Sequence, residues 1–402
     1  MPLLPRKMKR SKLVLAALAA TISVGLLAPA SPVSADPKFA DALVGAGSDT
    51  TMDVMAALSG FANGKPFTPV QSTVASGSKL IASWDSKLAS QTDNCIAAKL
   101  KAPTTYRPNG SSEGRRALSR AIDGTVYGPT TECGGSKVVT GLFDFARSSS
   151  GPSSGDTGTA LTYVPFGRDA LAVAYYANGV TTPVTDFTRA QLTSLYTTGP
   201  QTINGVEVVP CGIQLGSGTY SSWLTMTAAT AVQDESSTAT CAAAGATTGR
   251  IQENDATALK MKGDGLVGKQ VIIGFSAANF IAQGNGVALS QLAAGVDLGT
   301  ISNDGTGANL GKAYTTSGTA PVLYTAAPTF YASTVFGRNV YNVFDTARVT
   351  GIGNNDVKSL FVGATSAVCS TDGQITVNKF GFSTISTCGA ITLTGSLITG
   401  IK

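Results

Sequence analysis

Apolar and polar positions along the chain change period several times, and the changes mark elements. Ala42-Leu43-Val44 is a short apolar run of the kind a buried strand makes, and Val54, Leu58 and Phe61 then recur at helical spacing. Ala117, Leu118, Ala121 and Ile122 form an apolar stripe that predicts a second helix. Val138–Phe145 and Val206–Val209 read as strands, the latter leading to a helix that carries Trp223 and Leu224. Between these elements lie three small polar turns. Gly45-Ala46-Gly47-Ser48-Asp49-Thr50-Thr51 precedes the first helix, Arg107-Pro108-Asn109-Gly110-Ser111-Ser112-Glu113-Gly114 the second, and Gly216-Ser217-Gly218-Thr219 the third. Glycine lets backbone approach a ligand, and the N–H groups of a helix start point at it. Ser, Thr and Asp are also ordinary helix caps, so one such turn alone decides nothing. Three in one chain can set several N–H and hydroxyl donors around one small anion. A fourth segment, Ala146-Arg147-Ser148-Ser149-Ser150, follows a predicted strand; Arg147 there is either a bidentate anion contact or a surface arginine.

The N-terminus carries a different pattern. Arg6, Lys7, Lys9, Arg10 and Lys12 precede an apolar stretch from Leu13 to about Ala28, and Val33-Ser34-Ala35 is a small-x-small site. This order predicts a signal peptide over 1–35, cleaved after Ala35, and a secreted, extracellular product. The stretch is shorter than the roughly 20 residues of a membrane span. Removing it changes the charge argument. The chain has 29 Lys+Arg and 24 Asp+Glu, and residues 1–35 hold five basic residues and no acidic one, leaving 24 against 24. The apparent basicity therefore belongs to targeting, and no nucleic-acid partner is expected. The remaining length exceeds what one hydrophobic core usually serves, and no low-complexity linker divides it. Two lobes that the chain crosses more than once are expected.

Cys95, Cys133, Cys211, Cys241, Cys369 and Cys388 are an even set in an exported chain, which implies disulfides. Fifteen pairings exist. The six fall into three sequential pairs, so 95–133, 211–241 and 369–388 is the simplest arrangement. No C-x-x-C spacing and no histidine occur, so neither a zinc site nor another metal or cofactor is expected. The absence of histidine also removes Ser-His-Asp and Cys-His catalysis. Gly151-Pro152-Ser153-Ser154-Gly155 fits a nucleophile-elbow pattern but has no base to serve it. Gly263 to Lys269 nearly fits a phosphate-binding loop. However, Gln270 replaces the hydroxyl residue, and a helix end rather than a strand precedes it. Both read as turns. Asp49, Asp53, Asp144 and Glu253 are the acids available for carboxylate chemistry, and no spacing brings two of them together.

At these residues the chain resembles the phosphate-binding-protein family of ABC importers, the two-lobed type II periplasmic-binding fold. The most specific match is Gly216-Ser217-Gly218-Thr219, after a strand and ahead of an aromatic-containing helix; Gly45-Ala46-Gly47 and Gly110-Ser111-Ser112 match earlier turns. Ala170–Tyr175 resembles the crossing strand, Phe187–Tyr196 the helix after it, and Ile273-Gly274-Phe275-Ser276 the later strand near the hinge. Val340–Val343 and the Cys369–Cys388 tail are similar to secreted Gram-positive members. The resemblance implies an α/β fold with one lobe from 36–172 and 335–402, the other from 173–334, and a ligand cleft between them. It implies contacts from Ser48, Asp49, Thr50, Ser111, Ser217, Gly218 and Thr219 and puts Ser149 at a family site position; Arg147, read from the fourth segment itself, is the candidate replacement cation. Two charged positions of the family differ: Ser149 stands where an aspartate accepts the ligand's proton, and Ile213 and Gln214 stand where an arginine precedes the Gly-Ser-Gly-Thr turn. Tyr220 takes the place of an arginine that some relatives carry.

The expected function is a monomeric, non-enzymatic receptor that binds a small oxyanion, phosphate by default, for an ABC permease. The alternative on the same fold is a secreted sensor or surface protein with a different or lost ligand. A carboxylate-based hydrolase is the third reading.

Overall fold

The computed structural model describes residues 36–37, 42–62, 65–66, 81–87, 94–242, 249–319 and 322–400. The expected signal segment 1–35 and its cleavage point lie outside these residues. Among the described residues no helix is long and apolar enough to cross a membrane.

The fold is mixed α/β around one large mixed sheet. In chain order its main strands are β1 (Leu43–Gly47), β2 (Ile81–Ser83), β3 (Phe145–Ser148), β4 (Leu161–Ala177), β5 (Gln201–Ile203), β6 (Val206–Pro210), β7 (Gln270–Ser276) and β8 (Gly337–Asp345). They lie side by side in the order β5-β6-β7-β4-β8-β3-β1-β2. β1 runs parallel to β2 and β3, and β6 parallel to β7. The 17-residue strand β4 joins the two parallel groups. Its first part, Leu161 to Ala170, pairs antiparallel with β8, and its second, Leu171 to Ala177, pairs antiparallel with β7. Its near-continuous run of apolar residues fits burial on both faces. The ladder with β8 slips between Pro165 and Gly167, where proline has no N–H to give.

The described residues pack into one contact-dense unit, and its apolar core is divided. One cluster draws only on residues between Ala170 and Phe336, centred on Trp223, Tyr196 and Phe275. A second takes Leu43, Phe145 and Phe166 together with Phe344, Phe361 and Phe382 from the C-terminal segment. Five helices bear on the site: α1 (Met52–Leu58), α2 (Ser111–Asp123), α3 (Gly218–Thr227), α4 (Ala256–Asp264) and α5 (Ala277–Gly284). α5 contributes Phe280 to the first cluster and Ala278 to the second, so it spans both.

Most local expectations hold. The predicted strands at Val206–Val209, Ala170–Tyr175 and Ile273–Ser276 fall within β6, β4 and β7, and the strand expected at Ala42–Val44 begins one residue later as β1. Two do not. Phe61 is outside α1, which ends at Leu58; Ser59-Gly60 turns the chain and Phe61 opens a two-residue strand. Val138–Phe145 is not one strand. A short pair at Lys137–Val138 and the start of β3 at Phe145 are separated by a turn around Gly141, and Val138 is exposed. The helix expected over Phe187–Tyr196 begins at Arg189, because Thr188 caps it in a capping box with Gln191. Gly263–Lys269 links the end of α4 to β7, a helix-to-strand turn and so the reverse of a phosphate-binding loop. Gly151–Gly155 lies in the connection between β3 and β4.

All three sequential disulfides are formed: Cys95–Cys133, Cys211–Cys241 and Cys369–Cys388, with Cα separations of 5.5, 5.1 and 5.7 Å. Each closes a local loop of its own region.

Candidate functional site

The three polar turns converge at the carboxyl ends of parallel strands, where α/β sheets usually hold their ligands. Ser48, Asp49 and Thr50 follow β1, Ser111 opens α2, Ser149 follows β3, and Ser217 caps α3; all are buried. The Ser217 hydroxyl accepts from the Thr219 N–H at 2.9 Å and from the Tyr220 N–H at 3.3 Å. The turns also touch one another. Ser112 N donates to Gly216 O at 2.9 Å, the Ser149 N–H donates to the Ser111 hydroxyl at 3.0 Å, and the Thr50 and Thr219 hydroxyl oxygens are 3.1 Å apart. Glycine is required at 218: a Cβ there would lie 2.5 Å from both the Ser111 and Ser149 hydroxyls.

At the meeting point sits a carboxylate. One Glu253 oxygen accepts from Thr50 Oγ1 at 2.5 Å and from Thr219 Oγ1 at 2.7 Å. The other accepts from the Ser217 hydroxyl and from Gln214 Nε2, the latter at 3.2 Å. Gln214 Nε2 also donates to Asp49, and Gln214 Oε1 accepts from the Glu253 N–H at 3.1 Å. Asp49 and Glu253 therefore do converge, contrary to the expectation that no two acids meet. Burial, and next the negative charge of Glu253, push the Asp49 carboxyl well above the usual carboxylate range.

The cation beside this point is Arg338. Asp169 of β4 and Arg338 of β8 are directly opposed across the ladder, and Arg338 Nε and Nη2 donate to Asp169 Oδ2 at 3.2 and 2.8 Å. Nη2 reaches on to Thr219 Oγ1 at 2.6 Å and Thr50 Oγ1 at 3.4 Å. Nη1 is buried and has no partner among the described residues. The other Asp169 oxygen accepts from the Ala278 N–H at the start of α5, at 3.1 Å. The Asp169–Arg338 pair thus sits where β4 passes between the two parallel groups, and it presents one guanidinium edge to the site.

Arg147 is placed differently from a ligand contact. It is fully buried, and its hydrogen bonds go to Ser48 O at 3.1 Å, Ser83 Oγ at 2.9 Å, Trp84 O at 2.7 Å, and Gly45 O and Gly47 O at 3.4 Å. It ties together the carboxyl ends of β1 and β2. Burial lowers the guanidinium to about 10, opposed by Asp85, Asp49, Asp53 and Asp36. Two of those acids are raised mainly by burial, Asp53 to about 6 and Asp85 to about 7.

Beside the site lies a cleft of about 430 Å³, within the usual range of ligand pockets, whose polar lining includes Lys87, Asn109, Gln214, Arg250 and Asp255. Gln214 belongs to both the cleft wall and the hydroxyl cluster. Arg250 is engaged, with Asp234 at 2.9 Å and the Ile213 carbonyl at 2.8 Å. Burial lowers the Lys87 amine, while Asp255 and Asp49 act to raise it. Among the described residues no cluster of His, Cys, Asp or Glu suits a metal ion.

Sequence reasoning found the three turns but missed Arg338, Asp169 and Gln214 as site residues. One signal was available: Asp169 and Arg338 are charges set inside runs that read as buried strand, and a buried charge needs a partner.

No family profile matches the sequence, and no curated protein is similar to it. Among solved structures, the chain is similar to a phosphate ABC transporter substrate-binding protein with bound phosphate from Clostridium perfringens. That match is 15% identical, covers 86% of this chain and 100% of that one, and has a TM-score of 0.47. It is similar also to an ABC-type phosphate transport receptor from Vibrio cholerae, at 13% identity over 69% of this chain and 86% of that one, TM-score 0.39. A further similar structure is PstS from Borrelia burgdorferi, at 13% identity over 86% of this chain and 100% of that one, TM-score 0.39.

Proposed function

We propose that the chain is a secreted solute-binding protein that holds a small oxyanion where its three polar turns meet. In this reading 36–172 with 335–402 forms one lobe, 173–334 the other, and the ligand is gripped between them. One observation carries it: the Glu253 carboxylate is hydrogen-bonded by the hydroxyls of Thr50, Ser217 and Thr219 and by the Gln214 amide. A cluster that satisfies both oxygens of a carboxylate with converging donors has the chemistry to satisfy an oxyanion. The proposed contacts are Ser48, Thr50, Ser111, Ser149, Ser217, Gly218 and Thr219, with Arg338 as the cation and Asp49 as the neighbouring acid. The chain has no histidine to serve these hydroxyls as a base, so the reading is of a binder and not an enzyme.

Phosphate is the first ligand to test, because of the sequence resemblance at the turns, and an ABC permease is the proposed partner of the monomeric receptor. A secreted non-transport binder on the same fold is the second reading. It is favoured by Gln214 and Ser149 standing at the family's charged positions. Titration calorimetry of the oxidised protein against phosphate, sulfate, phosphonates and neutral sugars tests both. One-to-one binding of an oxyanion supports the first proposal, and binding of a neutral sugar alone replaces it with the second.

A further inference from the structure

Glu253 comes from the region whose core lies between Ala170 and Phe336, yet one of its oxygens is held by Thr50, which follows β1 in the other region. The carboxylate therefore makes the bridging contacts that a ligand gripped between the turns would make. A free oxyanion and Glu253 would compete for the same Thr50, Ser217 and Thr219 hydroxyls. Resting on the oxyanion reading above, we infer that Glu253 is a built-in competing anion, a latch that holds the site shut until an oxyanion displaces its carboxylate. The neighbouring cleft gives that side chain somewhere to go: Gln214, already bonded to it, lines the wall together with Lys87 and Arg250.

The latch carries charge, so its strength depends on protons. The charged groups around it are Asp49 from the loop after β1, Arg338 from β8 with Asp169 of β4 behind it, and Lys87, Arg250 and Asp255 around the cleft. Asp49 is the group whose carboxyl is pushed well above the usual range, by burial first and then by the charge of Glu253. Lowering the pH favours the neutral form of the Asp49 carboxyl, so an incoming anion meets less negative charge beside the hydroxyls. This is the reverse of an acid that helps bind the ligand by accepting its proton. A residue in that role strengthens phosphate binding, and its removal weakens it.

The test is titration calorimetry of wild type and Glu253→Gln with inorganic phosphate and with sulfate, from pH 5 to pH 8. Sulfate keeps its charge over that range, so its pH dependence reports the protein. A hydrogen bond to a charged acceptor is worth enough that Glu253→Gln should bind both anions about tenfold tighter, or more, at pH 7.5. Wild-type affinity for sulfate should rise as pH falls, and the variant's should rise less, because burial still raises Asp49 but the charge of Glu253 is gone. If wild type binds and the variant binds equally or more weakly, the latch is refuted while the oxyanion site stands. If the variant does not fold, a flat wild-type sulfate series refutes the latch. If wild type and variant bind neither anion at any pH, the latch and the oxyanion reading both fall.

Discussion

Replacing Arg147 by methionine should damage the fold far more than the site. Methionine keeps much of the stem but none of the donors. Three of the bonds lost, to Ser48 O, Ser83 Oγ and Trp84 O, are between 2.7 and 3.1 Å, and all lie at the ends of β1 and β2. A buried acceptor left unsatisfied costs about 1–3 kcal/mol, and removing one partner from a buried charged network costs about 3–5 kcal/mol. The lower figure is the better guide here, because Asp53 and Asp85 are already raised to about 6 and 7 and can protonate when the cation leaves. The cost is then about 3 kcal/mol, a large part of a normal folding free energy, and in a chain of this size it corresponds to a fall in Tm of roughly 4 °C. Differential scanning calorimetry at pH 7 on the oxidised protein measures it, with oxyanion affinity measured below the transition. Any folded variant should bind within about threefold of wild type, which is under 1 kcal/mol. A Tm within about 2 °C of wild type, combined with a loss of binding beyond tenfold, would show that the guanidinium faces the ligand and not the main chain.

Two further outcomes follow from the geometry. Gly218→Ala puts a methyl 2.5 Å from the Ser111 and Ser149 hydroxyls, so the turns must part; oxyanion affinity should fall at least tenfold while the Tm changes by only a few degrees, and unchanged affinity would show that these turns need not meet. Stability should decline as pH rises from about 4 to 7, because native Asp53 and Asp85, raised to about 6 and 7, hold protons that the unfolded chain releases near pH 4. Urea denaturation at pH 4.5 and pH 7.5 checks the sign, and greater stability at pH 7.5 would contradict it.

What could be read from the sequence was local. The turns at Ser48–Thr50, Ser111 and Ser217–Thr219 show themselves because glycine, hydroxyl and helix start are neighbours in the chain. The disulfides follow from cysteines that cluster in sequential pairs. The cation and the second carboxylate were not legible in the same way. Arg338 meets Thr50 and Thr219 only through the register of β8 against β4, and Glu253 reaches Thr50 across some 200 residues of sequence. In the sequence Glu253 sits in the polar run Gln252-Glu253-Asn254-Asp255, which looks like a helix cap, and Asp255 does cap α4. The role of Arg147 stays open in the sequence for a related reason. An arginine after a strand can face a ligand or brace the strand ends, and the choice depends on carbonyls of β1 and β2 that no local pattern reveals. The apolar run Val138–Phe145 misled because its average hydrophobicity hides the turn at Gly141.

The most direct test of the central claim is an anomalous difference map from crystals soaked in arsenate, a heavier analogue of phosphate. The account predicts one strong peak within hydrogen-bonding distance of the Thr50, Ser217 and Thr219 hydroxyls and facing Arg338, with Glu253 withdrawn from its place there. A saturating soak that leaves this point empty, or a peak bound elsewhere while Glu253 keeps all four donors, would contradict it.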